Sequence, residues 1–416
     1  MKRKHCECCH DICDSCTGSS SKRRKLGDCN DQPPKAEPGD SNNCLERILV
    51  EQPLRRLAQY QMVSRQWKAL IGQPTFQQFL AEKSEANSLF VSYLKTDMVG
   101  IVRLIHNRYS VTNYRLPPSR SALPLKNVLG SCYGLVCLGN TSQGGYRAEE
   151  DILLLNPCTK KMRLIKDTIH CGLERGHYGL GFDRKAQDFK IAKVCTPLVR
   201  HSKKKLTPKR EAEMVHIIIY SWKYSCWRET YFEDWGFNLV HYPGMFLDGK
   251  IYWPGKVWEM QGIFVRPQGH QNSLVSFDVS SETLGCINLP EDLQSEYCSF
   301  GVVAGTLTAC VCGEKTEVWQ YIENNFRKRA SLSSYRNHMS SHLQPLYQLG
   351  NLMVLLHNGR KVTLYDMSDH SKLHALGLDK WVHQGAFKRR GPRMEAVPLV
   401  ESLFSPTFET EKANCE

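Results

Sequence analysis

Cysteines near the N-terminus are the residues of this sequence best suited to bind a metal ion. Six soft ligands fall within eleven residues: Cys6, Cys8, Cys9, His10, Cys13 and Cys16. Cys13 and Cys16 have the C-x-x-C spacing of tetrahedral zinc sites. Such sites usually take a second ligand pair from a separate element at a set distance, and this sequence lacks that second pair. We therefore expect a reducible, disordered tail and no cofactor, with a metal site at these cysteines as the alternative.

Motifs for catalysis give little support to an enzyme. The sequence contains no nucleotide-binding Gly loop, no H-E-x-x-H helix and no G-x-S-x-G turn. His170 and Cys171 are adjacent, but neighbouring positions in a sequence are not a catalytic arrangement. We expect a non-catalytic protein that acts by binding.

Basic residues are gathered in short runs. The formal net charge is +13, and residues 22–25, 203–205 and 388–390 are examples of these runs. Such runs are typical of tails and loops, whereas a basic stripe along one helix would indicate a nucleic-acid surface. Solvated surface charge that keeps the protein soluble is the alternative to a specific polyanion site.

Signals for cellular location are expected in the N-terminal segment. Four residues resemble a nuclear localisation signal, which an acidic receptor groove reads: Lys22, Arg23, Arg24 and Lys25. No stretch reaches the roughly 20 apolar residues of a membrane span, and the first residues lack the apolar core of a signal peptide. We expect a protein of the nucleus and/or cytoplasm with no membrane partner, whose 18 cysteines stay mostly as thiols.

Composition and periodicity divide the chain into four parts. Residues 1–43 lack apolar periodicity, which predicts a disordered tail. Residues 44–84 carry apolar residues at spacings of three and four, interrupted at Pro53, which predicts two or three short helices. Residues 88–400 consist of short apolar runs between turn residues and are predicted to be all-β, followed by a second tail at residues 401–416.

A hairpin pattern recurs through the β region at intervals of about 40 to 65 residues, the range of propeller blades. Its copies are residues 152–165, 216–229, 274–290, 362–376 and, more weakly, 317–330. We interpret them as the two outer strands of successive blades. The predicted inner strands are residues 134–138, 244–253, 301–312 and 350–356. About five or six blades are expected in a closed ring, and a two-sheet sandwich is the alternative.

Turn residues support the hairpins. Three polar side chains stand where a turn needs a group that bonds its own backbone: Asn156, Asp278 and Asp366. Three glycines are predicted at reversals of the chain: Gly134, Gly139 and Gly249. These residues are interpreted as structural rather than as ligand contacts.

Residues 45–80 resemble the F-box. Eleven residues of that motif follow in order: Ile48, Leu49, Pro53, Leu57, Val63, Ser64, Trp67, Leu70, Ile71, Pro74 and Phe76. The sequence departs from the family at Arg47, Gln52 and Arg65, where Glu, Leu and Lys are usual. The resemblance implies a small helical module that docks on the adaptor subunit of an SCF-type cullin ubiquitin ligase.

The region after the helices resembles the F-box-associated domain of plant F-box proteins, which is related to kelch-type propellers. The matching motifs are GSCYGLVCL (130–138), NPCT (156–159), YGLGFDRKAQDFKIAKV (178–194), and residues 219–228, 246–253 and 274–290. With this resemblance the predicted fold class is α+β multidomain: a short helical F-box module followed by an all-β, kelch-like β-propeller.

The two resemblances imply a substrate-recognition subunit of the ligase. The residues expected to bind the adaptor are Ile48, Leu49, Pro53, Leu54, Val63 and Trp67. Leu49 and Trp67 are the expected anchors, because large apolar groups in buried pockets dominate binding energy; the alternative is that Trp67 packs the core of the module. The implied partners are the adaptor, through it the cullin scaffold, and an unidentified protein substrate.

Substrate contacts are expected on long loops of one face, because a propeller presents its variable connections around the central channel. The candidate loops are residues 140–150, 196–214 and 258–273. The most basic loop could receive an acidic substrate or a phosphorylated degron through Arg200, Lys203, Lys204, Lys205, Lys209 and Arg210. Nucleic acid is not an expected partner; the alternative function is nevertheless a non-ligase nuclear protein whose basic propeller binds nucleic acid or a scaffold partner.

Overall fold

The computed structural model contains one compact unit from Ile48 to Glu416 and a separate unit from Met1 to Arg47. The described residues are 48–94, 97–105, 108–116, 127–139, 151–166, 175–196, 215–232, 235–240, 242–258, 271–295, 298–313, 315–332, 342–368, 372–376 and 393–406. The predicted N-terminal tail, the candidate metal site at Cys6–Cys16 and the basic run at 22–25 lie outside these residues.

Three short helices open the described chain. They are α1 (Leu54–Tyr60), α2 (Arg65–Gly72) and α3 (Pro74–Lys83), and residues 48–50 are also helical. Each start has a local cause: Pro53 precedes α1, the Ser64 hydroxyl accepts a hydrogen bond of 3.1 Å from the backbone N–H of Trp67, and Pro74 occupies the first turn of α3. The apolar periodicity predicted helices here correctly.

The helices share a small apolar core. Its buried members are Leu49, Leu57, Ile71 and Phe76. Trp67 packs on this core from its side, with its ring 5.0 Å from that of Tyr60 in an edge-on arrangement. Helices this short are marginal alone, so their stability depends on this packing.

The described strands after the helices form six groups of four antiparallel strands, which we call blades; the second and fourth are joined into one nine-stranded sheet by a parallel pair of their innermost strands. The first blade comprises β1 (Ser88–Tyr93), β2 (Met98–Ile105), β3 (Arg108–Arg115) and the last strand, β25 (Met394–Leu399). The second comprises β4 (Asn127–Cys132), β5 (Leu135–Gly139), β6 (Asp151–Leu155) and β7 (Met162–Lys166). The third comprises β8 (Arg175–Asp183), β9 (Asp188–Thr196), β10 (Val215–Ser221) and β11 (Cys226–Phe232).

The other three blades repeat the same order. The fourth comprises β13 (Gly244–Leu247), β14 (Lys250–Trp258), β15 (Gln271–Asp278) and β16 (Leu284–Asn288), with β12 (Gly236–Leu239) paired to the end of β14. The fifth comprises β17 (Cys298–Val303), β18 (Thr306–Cys312), β19 (Thr316–Ile322) and β20 (Asn325–Leu332). The sixth comprises β21 (Leu343–Leu349), β22 (Leu352–His357), β23 (Lys361–Asp366) and β24 (Lys372–Leu376), and a 3-10 turn at Glu291–Leu293 links the fourth blade to the fifth.

The innermost strands are neighbours in a ring, in the order β25, β4, β8, β13, β17 and β21. The ring is completed inside the first blade, where β25 pairs with β1 from Ser88 opposite Leu399 to Tyr93 opposite Met394. A β-propeller-like arrangement results, and it replaces the two-sheet sandwich that the hairpin spacing left open. A ring of blades suits this sequence because it leaves few strand edges exposed.

Turn chemistry located the outer strands correctly. All five predicted hairpins are the third and fourth strands of a blade. The carboxylate of Asp278 accepts hydrogen bonds from the N–H groups of Ser280 and Ser281 at 3.0 and 2.8 Å, and Asn156 holds its turn in the same way. Gly134 and Gly249 have φ angles of +80° and +79°, as a reversal requires. Gly139 is a correction: it is the buried last residue of β5 and lies against Leu129.

Three glycines let the inner strands of the second, third and fourth blades meet. Gly130 on β4 pairs in parallel with Gly244 on β13, and a Cβ on Gly244 would lie 2.5 Å from the Cα of Gly179 on β8. Backbone cannot yield to such a contact as a flexible side chain can. These glycines therefore fix how closely the three strands approach the centre of the ring.

Gly244→Ala is expected to lower the free energy of unfolding by about 1–3 kcal/mol, because the added methyl group meets backbone and the side chain of Ile251. Urea denaturation followed by tryptophan fluorescence measures the change. Gly72→Ala is the control, since a Cβ there has nothing within 4 Å and should leave stability unchanged or slightly raised. Equal stability of Gly244→Ala and wild type would contradict the close approach of these strands.

Three further features of the described residues are the state of their cysteines, the character of their helices and the grouping of possible metal ligands. Seven of the nine cysteines in the described residues are free thiols, and Cys195 and Cys226 each take part in a disulfide but not with one another, since they lie opposite the two ends of β10. No helix among the described residues has the length and apolar character needed to span a membrane. Within the same residues, no group of three or more His, Cys, Asp or Glu side chains is placed to hold a metal ion.

Candidate functional site

The ring has two faces, and the direction of the inner strands tells them apart. β4 and β8 begin at one face, at residues 127 and 175, and end at the other, at residues 132 and 183. We call the first face the cavity face and the second the turn face, because the tight turns at 133–134, 184–187 and 248–249 lie on it. Binding groups on the two faces are separated by the length of a strand.

A cavity of about 720 Å³ lies on the cavity face. The first residues of β4, β8, β17, β21 and β25 line it, together with the ends of β14 and β22. Its apolar wall includes Leu129, Phe300 and Leu356. This volume lies within the range of about 300–1,000 Å³ that is usual for ligand sites.

Charged side chains of the cavity are mainly basic. The cationic or ionisable basic residues that line it are Lys256, Arg360, Arg393, His177 and His342. Glu395 is the single carboxylate among the described lining residues. The side chains come from blades far apart in the sequence, so only ring closure brings them together.

Glu395 is held inside the cavity wall. Its Oε2 accepts a hydrogen bond of 2.5 Å from the backbone N–H of Val128 on β4. Burial raises the pKa of this carboxyl to about 7, and the hydrogen bond from Val128 offsets the effect only in part. Near neutral pH the cavity therefore carries less negative charge than its one carboxylate would suggest.

The strands that flank the three predicted substrate loops end at this cavity. Gly139, before loop 140–150, pairs with Asn127, and Cys195, before loop 196–214, pairs with Gly176; Asn127 and Gly176 both line the cavity. Lys256, before loop 258–273, pairs with Asn272, and both line the cavity. The predicted bounds of two loops are corrected, because residue 196 ends β9, residue 258 ends β14 and residues 271–273 begin β15. The remaining loop residues, including the basic set from Arg200 to Arg210, lie outside the described residues.

Helix α3 is attached to the turn face. Glu82 accepts a hydrogen bond of 2.6 Å from the hydroxyl of Tyr133 and forms an ion pair of 2.9 Å with Arg184. Burial opposes ionisation of Glu82, but hydrogen bonds from Tyr133 and Gln78 and the charge of Arg184 outweigh it and lower the pKa. Glu82 is therefore ionised where it meets the propeller.

Two further hydrogen bonds extend this attachment. The side-chain amide of Gln187 donates a hydrogen bond of 2.9 Å to the side-chain carbonyl of Gln78. The backbone N–H of Leu403 donates one of 3.2 Å to the side-chain carbonyl of Gln77. Residues 401–406, the start of the predicted C-terminal tail, pack here: Ser402 and Phe404 are buried, and Asn156 donates to the carbonyl of Phe404 at 2.7 Å. No signal in the sequence pairs α3 with residues that lie 51 to 326 positions away, and this contact was missed.

The residues predicted to bind an adaptor fall into three groups. Ile48, Pro53 and Val63 are exposed, Leu54 and Trp67 are half-buried, and Leu49 is 1% exposed in the helical core. A side chain enclosed by its own module cannot be a surface anchor, so Leu49 is removed from the docking surface. The prediction missed two apolar side chains that are strongly exposed: Met62 at 87% and Phe79 at 53%.

Sequence similarity to a known family covers most of the β region. Residues 102–405 match the family model described as F-box associated beta propeller domain, which covers most of the chain. The chain belongs to this family. The resemblance of its β region to the F-box-associated domain of plant F-box proteins is confirmed.

Relatives of this family member are F-box proteins of Arabidopsis thaliana. "F-box protein At4g22390" is 24% identical over 47% of this chain, and the match spans about half of that relative, 48% of its length. "F-box/kelch-repeat protein At3g23880" is 22% identical over 78% of this chain and 87% of its own length. Among solved structures, apo AztD from Citrobacter koseri aligns with a TM-score of 0.36 and 8% identity over 77% of this chain and 100% of its own, and no argument is drawn from it.

Proposed function

We propose that this family member is the substrate-recognition subunit of an SCF-type ubiquitin ligase. In this proposal the helices at residues 48–83 dock on the adaptor subunit, and the cavity face of the propeller captures a protein substrate. The chain performs no chemistry itself. It raises the effective concentration of a substrate lysine near a conjugating enzyme that the rest of the complex carries.

The observation that carries the proposal is the placement of the helices on the turn face, away from the cavity. An adaptor bound to the helices would leave the cavity and the ends of the three long loops open to a substrate. The attachment through Glu82 and Gln78 holds the two binding regions in one orientation. A ligase subunit needs such an orientation to present its substrate.

Exposed apolar side chains support docking by the helices. Ile48, Met62, Val63 and Phe79 expose 57%, 87%, 66% and 53% of their surface on a module of fewer than 40 residues. Large apolar side chains so exposed on a small module favour a partner surface. Leu49 and Trp67 support the module from within, where they pack with Leu57 and Ile71.

Met62→Asp and Val63→Asp are expected to weaken binding of the purified adaptor at least tenfold, because each places a carboxylate where an apolar contact forms. Calorimetry with the full-length chain measures the affinity. Ile322→Asp is the matched control, since Ile322 is an exposed apolar residue of the fifth blade and should bind like wild type. A wild-type chain that shows no affinity for the adaptor would overturn the docking proposal.

Nuclear location is a separate proposal for Lys22, Arg23, Arg24 and Lys25. Replacing all four by Gln in a fluorescent fusion of the full chain is expected to shift the protein from the nucleus to the cytoplasm. An unchanged distribution would contradict a role for this run.

A further inference from the structure

The cavity brings cations from three blades to one place. Lys256 lies on β14 of the fourth blade, Arg360 lies between β22 and β23 of the sixth, and Arg393 lies next to the start of β25 in the first. Glu395 is the one carboxylate that accompanies them in the described lining. The resulting excess of positive charge is directed into a concave surface, where the field of several charges adds.

The walls between these cations are apolar. Leu129 lies on β4 of the second blade and Leu356 on β22 of the sixth, and Leu293 contributes from the turn between the fourth and fifth blades. A cavity with apolar walls and a few charged groups binds ligands that combine both characters. Its volume of about 720 Å³ suits a short extended segment rather than a folded surface.

We propose that this cavity binds an acidic segment of a protein, with carboxylate or phosphate groups on Lys256, Arg360 and Arg393 and apolar side chains against the walls. The inference rests on the proposed function and names the chemistry of its substrate. Arginine is suited to either anion, because its guanidinium donates two parallel hydrogen bonds to a carboxylate or phosphate.

Nucleic acid fits the same cavity less well. Single strands bind along open basic grooves in which bases stack on aromatic faces. Of the lining aromatics, Tyr178 is buried beneath the Lys193 ammonium at 5.4 Å, and the hydroxyl of Tyr242 is directed to the carbonyl of Phe300 at 2.8 Å. Phe300 also lines the cavity and is buried. None of the three rings offers an open stacking platform, whereas a mixed acidic and apolar peptide needs none.

Fluorescence anisotropy with the full-length chain tests the proposal. The probes are three labelled peptides of equal length that alternate Leu with Glu, with phosphoserine or with Gln. The Glu or phosphoserine peptide is expected to bind and to weaken with added salt, and the Gln peptide to bind at least tenfold more weakly. The stronger of the two anionic peptides identifies carboxylate or phosphate as the natural group.

Substitutions of cavity residues test whether the peptide binds in the cavity. Arg393→Gln and Lys256→Gln are each expected to weaken the anionic peptide roughly tenfold, and Glu395→Gln to tighten it because it removes the opposing charge. Arg329→Gln is the matched control, since Arg329 is an exposed cation on the outer strand β20 and should leave the affinity unchanged. A gain in one variant and losses in two others cannot arise from misfolding alone.

Three results would overturn the inference: equal binding of the Gln peptide, peptide binding that the cavity variants leave unchanged, or preferential binding of a random single-stranded oligonucleotide through Arg393 and Lys256. Adaptor affinity, measured on the same proteins, separates this inference from the proposed function. Arg393→Gln should bind the adaptor like wild type, and Val63→Asp should bind the peptide like wild type. A chain that binds the adaptor but no anionic peptide refutes the acidic segment and leaves the ligase proposal standing.

Discussion

Lys190→Met is expected to lower the free energy of unfolding by about 3–5 kcal/mol, because it removes the cation from a buried ion-pair network. Lys190 Nζ lies 2.7 Å from the carboxylate of Asp183, 2.9 Å from that of Glu282 and 3.0 Å from the carbonyl of Val279. Its side chain is 10% exposed and that of Asp183 is 4% exposed. Without the ammonium, Asp183 would remain as a buried carboxylate that has lost its direct ion-pair partner, while Arg228 would still pair with Glu282 in the same network.

The network joins two blades. Asp183 and Lys190 belong to the third blade, whereas Val279 and Glu282 belong to the outer hairpin of the fourth. Burial opposes ionisation of Asp183, but hydrogen bonds from Lys190 and Ser280 outweigh it and lower the pKa. This contribution to stability is therefore present above the unfolded pKa of about 4 and is lost as the pH falls below it.

Urea denaturation at neutral pH measures the loss in Lys190→Met. Lys185→Met is the control, since Lys185 is an exposed lysine in the adjacent turn and should change stability by less than about 0.5 kcal/mol. Adding Asp183→Asn to Lys190→Met should recover part of the loss, because it removes the uncompensated charge. A loss as small as that of the control would mean that the network does not hold the blades together.

Glu395→Gln is expected to gain stability relative to wild type as the pH rises. The pKa of Glu395 is raised by burial to about 7, from about 4.5 in the unfolded chain. The folded state therefore holds the proton more tightly than the unfolded chain does. The resulting contribution to the free energy of unfolding is fully present below pH 4.5 and is lost as the pH rises through 7. Over this pH window the free energy of unfolding of the wild type should fall by about 3 kcal/mol relative to that of the variant.

Urea midpoints of both proteins between pH 5 and about pH 8 test this expectation. Gln keeps an acceptor for the Val128 N–H but cannot ionise, so differences in the curves report the carboxyl alone. Other groups line the same cavity: His177, Lys256, His342, Arg360 and Arg393. These groups are present in both proteins, and parallel curves would show that Glu395 is not buried in the folded chain.

Local chemistry explains what the sequence predicted well. Asn156, Asp278 and Asp366 mark turns because each side chain bonds backbone two residues ahead. The hairpin of β2 and β3, whose strands are only two residues apart in the sequence, escaped the pattern. Gly139 was misplaced because a glycine can serve close packing against Leu129 as well as a reversal.

Contacts between distant elements could not be predicted in this way. The cavity is assembled from Val128, Lys256 and Glu395, which share no local pattern and meet only when the ring is complete. Burial of Leu49 was missed because helical periodicity gives the apolar face of a helix but not which part of that face the module encloses. The recurring hairpin pattern predicted the outer strands of five blades, whereas the pairing of α3 with Tyr133 and Arg184 required the structure.

Pairing of β25 with β1 has a consequence for biosynthesis. A ribosome adds roughly 5–20 residues per second, so the edge of β1 waits tens of seconds for its partner, which lies some 300 residues downstream. During that interval the nascent chain presents an unpaired strand edge, a feature that invites aggregation and chaperone binding. Premature termination before residue 394 would leave this edge permanently open, so quality-control machinery could recognise an incomplete polypeptide by the same strand that a finished one conceals.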